Sequence, residues 1–109
     1  QPDAVRGMLR GLFRSIVYTQ RNPAESIDVL KRVEPLTDVA IEAERQRVAS
    51  EYTVVTDNVR RNGLSSVDPA RLALGIRAIE EAYGLTARLR PEDVYTDAFL
   101  PPREERMLS

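Results

Sequence analysis

The chain predicts an all-α fold of about four helices in a small bundle, followed by an extended tail. Three observations carry this. Apolar residues recur at spacings of three and four in successive segments, the period of a helix with one buried face. Two cap-plus-proline pairs, Asn22-Pro23 and Asp68-Pro69, mark places where a helix starts. No segment of useful length alternates apolar and polar residues as a half-buried strand does, and "YTVV" (52–55) is the only β-rich run.

The first helix places Val5, Met8, Leu9, Leu12, Phe13, Ile16 and Val17 on one face, with Arg6, Arg10 and Arg14 four apart on another. Gly7-x-x-x-Gly11 sits inside it. Glycine costs about 1 kcal/mol in a helix interior, so the pair predicts close approach of another backbone. A membrane-dimer reading needs an apolar 20-mer, and arginines surround the motif here. Asn22 is placed to cap a second helix, with Pro23 in its first turn and Glu25 at the capping-box position. That helix turns Ala24, Ile27, Leu30 and Val33 inward and ends at Pro35.

Thr37 or Asp38 opens a third helix, with Ile41, Val48, Tyr52 and Val55 as a narrow stripe around "EAERQR". It should be the most solvated of the four. The stretch "TDNVRRNGLSS" (56–66) reads as a loop, punctuated by Asn62-Gly63 and Ser65-Ser66. Asp68-Pro69 starts the fourth helix, whose core face is Leu72, Ile76, Ile79 and Tyr83. Gly84 is its left-handed cap, with Leu85 closing the end. Pro91-Glu92-Asp93 begins one short turn. Then come Tyr95 and Phe99, two of the chain's six aromatics, closed off by Pro101-Pro102.

A length of 109 residues supports one domain (1–109), with 91–109 as latch and tail. Hydrophobic content of 42% and charged content of 30% are those of a folded chain with a core, not of a disordered one. A net charge of −1 argues against nucleic acid or an anionic membrane as partner. All but one of the 16 basic residues are arginine, a bias we read as GC-rich codon usage before function. The absence of cysteine excludes disulfide scaffolds and thiolate metal sites. The opening residues carry neither Met nor the apolar region of a signal peptide, so a processed product or an excised piece is expected.

Without histidine, Ser–His or Cys–His nucleophilic catalysis and His-based metal sites are unavailable. Glu42/Glu44, Glu80/Glu81 and Glu104/Glu105 are spaced too closely to converge from one helix face, where ligand pairs need i, i+3 or i+4. A di-iron bundle would need Glu-x-x-His, which is absent. These acids read as solvated carboxylates. The arginine row could take a phosphate or an anionic partner, but a solvated or salt-bridged face is the preferred reading. Ser65-Ser66 has no base in the chain and reads as loop and cap. The five glycines are scattered and form no phosphate loop. No catalytic, cofactor-binding or metal-binding residue is assigned, no cofactor is expected, and the chain is not expected to be an enzyme.

Four stretches, in order, carry a family resemblance: "VRGMLRGLFRSIVYTQRNP" (5–23), "PAESIDVLKRVEP" (23–35), "DPARLALGIRAIEEAYGL" (68–85) and "PEDVYTDAFLP" (91–101). Together they resemble the C-terminal part of periplasmic substrate-binding proteins of ABC importers. The branch is the one serving nitrate, sulfonate, taurine and pyrimidine-precursor uptake. The most specific piece is Tyr95-Thr96-Asp97-Ala98-Phe99-Leu100-Pro101, set against the family's "YTNEFLP". Leu72 departs from the pattern, standing where the family usually has an aromatic.

The resemblance implies a parent of two α/β lobes with a solute in the cleft between them, of which this chain is the last third. It also implies a periplasmic location and a membrane permease as the parent's partner. No ligand-contacting residue of the family carries over to a numbered position here. The isolated chain should therefore bind solute poorly and expose an apolar patch, and it should self-associate through helix one or the hook. The latch should fold back on helices one and four, reach a neighbouring copy, or stay loose. The alternative reading is a free-standing helical interaction module using the Arg6/Arg10/Arg14 face or the hook.

Overall fold

A computed structural model describes all 109 residues, Gln1–Ser109. It is all-α, with 69% of residues helical and no strand. In chain order the helices are α1 (Pro2–Arg21), α2 (Pro23–Val33), α3 (Val39–Ala49), α4 (Asp57–Asn62), α5 (Pro69–Ala82) and α6 (Pro91–Val94). A π-helical turn, Ser50–Val54, extends α3, and one 3₁₀ turn, Arg103–Arg106, lies in the tail. The four helices expected from periodicity are α1, α2, α3 and α5.

Local chemistry explains the boundaries. Asp38 and Asp68 each accept from the two amides that open α3 and α5: Ala40 and Ile41 at 3.0 and 3.1 Å, Ala70 and Arg71 at 2.9 and 3.4 Å. Each such cap contributes about 1 kcal/mol. Gly84 has φ +62, with Gly84 N–H donating to Glu81 O and Leu85 N–H to Glu80 O, so α5 ends in a Schellman motif. The α1–α2 junction differs from its expectation. The Asn22 amide does not cap α2; it donates to Tyr18 O at 3.0 Å and closes α1 instead. Glu25 accepts from the Tyr18 hydroxyl at 2.6 Å and forms no capping box.

The expected loop 56–66 contains α4. Thr56 Oγ1 accepts from Val59 N–H at 3.2 Å, and that cap nucleates a short helix in front of the Asn62-Gly63 turn. Before it, Thr53 Oγ1 donates to Ala49 O and Val55 N–H donates to Ser50 O. The Thr53 hydroxyl occupies the carbonyl its own amide would use, and the turn widens from α to π.

Two expected core faces are corrected. In α2 only Ile27 is buried, while Leu30 and Val33 are exposed. In α5 Ile76 is buried and Leu72 half-buried, but Ile79 and Tyr83 face water, Tyr83 with 75% of its surface exposed. Glu80 is buried in their place, its carboxylate accepting from Leu89 N–H at 2.9 Å with Arg88 at 3.6 Å. The expectation for α3 holds, since none of its residues is buried.

The bundle is open. A compact monomer of this mass exposes roughly 6,100 Å²; this chain exposes 8242 Å². Its radius of gyration is 17.2 Å, against about 13 Å for a compact chain of this length. The core is small: Phe13, Ile27, Leu64 and Ile76 are its buried apolar side chains. α1 packs on α2 and on the 3₁₀ turn, α2 packs on α3, and the principal partner of α5 is α6. Apolar faces on α1 (Met8, Leu12), α2 (Val33) and α5 (Leu74, Ile79) have no cover. No helix is long and apolar enough to cross a membrane.

Candidate functional site

The tail meets α1 and the loop after α4 in a joint closed by hydrogen bonds from side chains to backbone carbonyls. Tyr95 leaves α6 in an extended conformation (φ −135°, ψ 141°), so Tyr95 and Phe99 are not a helical pair. The Tyr95 hydroxyl donates to Ser65 O at 2.6 Å. Burial raises the Tyr95 pKa above its ordinary value near 10.0, with the Asp97 carboxylate adding to the shift and Arg106 opposing it. The Arg6 guanidinium lies 5.5 Å from the centre of the Phe99 ring, a cation–π contact.

The 3₁₀ turn completes the joint. Leu64 N–H donates to Arg106 O at 2.8 Å, and the Arg106 guanidinium donates back to Leu64 O and, through Nε, to Pro101 O at 2.9 Å. Arg103 donates to Arg61 O. Arg10 Nε donates to Glu105 Oε2 at 2.8 Å. Gly63 is required here for two reasons. Its φ is +89°, and a Cβ would stand 3.3 Å from both Arg106 Cβ and Arg106 O. Gly63, Leu64 and Pro101 are buried by the closure. An arginine in a 3₁₀ turn can saturate two carbonyls at once because its fork carries five donors.

These contacts place the residues singled out from the sequence. Of the arginine row, Arg6 is taken by Phe99 and by Asp3 at 3.4 Å, and Arg10 by Glu105. Ser65 and Ser66 serve the loop: Ser65 O accepts from Tyr95, and Ser66 Oγ donates to Gly63 O at 2.7 Å and accepts from Asn58 at 3.1 Å. Gly7 and Gly11 have no neighbour within 4 Å of where a Cβ would stand, so the close backbone they predict is not supplied by this chain. Glu42 pairs with Arg45, and Glu44 with Arg47. The Arg47 guanidinium holds the Glu44 carboxyl below its ordinary range. No three acidic side chains converge as a cation site.

A cavity of about 600 Å³ lies between the end of α1, α2, α3 and the π turn. Ile27, Val39 and Val55 line it, with Gln20, Gln46 and Ser50 as polar wall. The Ser50 hydroxyl donates to Gln20 Oε1 and ties the π turn to α1. Neither this cavity nor the role of Arg106 is legible in the sequence. No family model, curated protein or solved structure matches the chain.

Proposed function

We propose that the chain is the C-terminal helical part of an ABC-importer solute-binding protein, whose parent captures a small solute and delivers it to a membrane permease. The observation that carries the reading is the ordered set of four motifs ending in Tyr95–Pro101. Two structural facts support it. The hook residues are engaged in a joint that fixes the end of the chain, as a terminal latch requires. The uncovered apolar faces of α1, α2 and α5 are those of a segment built to pack on further protein. In this reading the chain has no catalytic role, and the parent acts in the periplasm.

The test has two arms. The reading frame upstream of Gln1 should encode an α/β region preceded by an export signal; a start codon at that position overturns the proposal. Calorimetry of the 109-residue chain with taurine, an alkanesulfonate and nitrate should show no micromolar binding, because most of the cleft lies outside it. Micromolar binding would contradict that assignment.

A further inference from the structure

We infer that residues 68–106 form an exchangeable arm: in a second copy they dock on the same α1 and 61–66 surface and link two chains into a closed, arm-swapped dimer. The inference does not rest on the transport reading.

The receiving surface belongs wholly to residues that precede the arm. It consists of the carbonyls of Arg61, Leu64 and Ser65, the amide of Leu64, and the side chains of Arg6 and Arg10. Within the arm, α5 and α6 are tied together. Leu85 N–H donates to Glu80 O, Leu89 N–H donates to the Glu80 carboxylate, and α6 packs on α5. Between the two parts the connection is slight. A groove of about 670 Å³ lies between α4 and α5, and Val67, which joins loop to arm, is exposed. A rotation at Val67–Asp68 therefore separates arm from receiver while leaving the Asn58–Ser66 bonds and the α5–α6 bonds in place.

A swapped pair regains every contact of the joint, because the occupant is chemically identical. Only the effective concentration separates the two forms. For a short connection it is on the order of mM, so the monomer holds at micromolar concentration and the swapped dimer grows toward mM.

The test uses the absence of native cysteine. One chain carries Arg10→Cys and a second carries Glu105→Cys. In the mixed swapped dimer the two cysteines face each other at one joint, and the native Arg10–Glu105 pair is restored at the other. The two chains are refolded together at about 1 mM, diluted and treated with a flexible bis-maleimide cross-linker that spans the gap left by the two shortened side chains. The mixed cross-linked dimer should exceed either homodimer by roughly fivefold or more; statistical proportions overturn the inference. A second measurement guards against misfolded variants: ¹⁵N-labelled and unlabelled wild-type chains are refolded together at the same concentration and weighed intact. Mixed-mass dimers are expected, and monomers alone overturn the inference.

Discussion

The tail joint and the α2–α3 arm are held by opposite means. At the joint, three side chains of the tail, Tyr95, Arg103 and Arg106, donate to backbone carbonyls, and Gly63 leaves the space that a Cβ would take from Arg106. In the α2–α3 arm only Ile27 and Thr37 are buried. Thr37 is fixed by Lys31 Nζ donating to Thr37 O at 2.7 Å, while nearby Leu36 has 92% of its surface in water. Directional polar bonds close the joint without help from a large core. The arm depends on apolar burial, and this chain supplies little of it. The joint is therefore where single substitutions hurt, and the arm is where a further protein surface would stabilise most.

The largest effect belongs to Gly63→Val. A β-branched residue at φ +89° beside Arg106 should cost about 2–4 kcal/mol, read by urea denaturation. A cost below that range would mean the joint is loose. Arg106→Ala comes next. It strands Leu64 O and Pro101 O and should cost about 1.5–3 kcal/mol. Tyr95 sharpens the comparison through pH. Its folded pKa lies above the ordinary value near 10.0, so its contribution is complete below pH 10 and is lost as pH rises through the folded value. A tyrosine-ring NMR titration should give Tyr95 a midpoint above 10, and Tyr95→Phe should abolish the alkaline release of the tail; a midpoint below 10 contradicts the partial burial of the Tyr95 hydroxyl. The smallest effect is in the arm. Leu36→Ser should change stability by less than about 0.5 kcal/mol. A larger loss would mean Leu36 is covered in solution.

The helices were legible because they rest on local signals. Asp68-Pro69 and Gly84 act through neighbours within five residues, so the ends of α5 follow from the sequence. Asn22 shows the limit of such signals, since its amide can turn toward either of two helices and Tyr18 O wins. The inward faces of α2 and α5 were only partly legible. Periodicity says which side of a helix is apolar, not whether the chain covers it, and Val33 and Tyr83 stay exposed. The joint was legible as a need for packing at Tyr95 and Phe99. Helix one was among its expected partners, and Arg6 and Arg10 meet it there; the 61–66 loop was not, because the bonds from Arg103 and Arg106 reach 42 residues back to backbone atoms that carry no sequence signature. The burial of Glu80 was hidden for the same reason, as its partner is the Leu89 amide.

The tail joint holds an open chain in one shape. Small-angle scattering on the dilute chain tests it most directly, with Arg106→Ala measured beside it. A radius of gyration near the 17.2 Å of the structure is expected for the native chain, rising in Arg106→Ala as residues 68–106 swing free. A value near 13 Å, that of a compact chain of this length, would contradict the open fold. An unchanged value in Arg106→Ala would contradict the role of the joint.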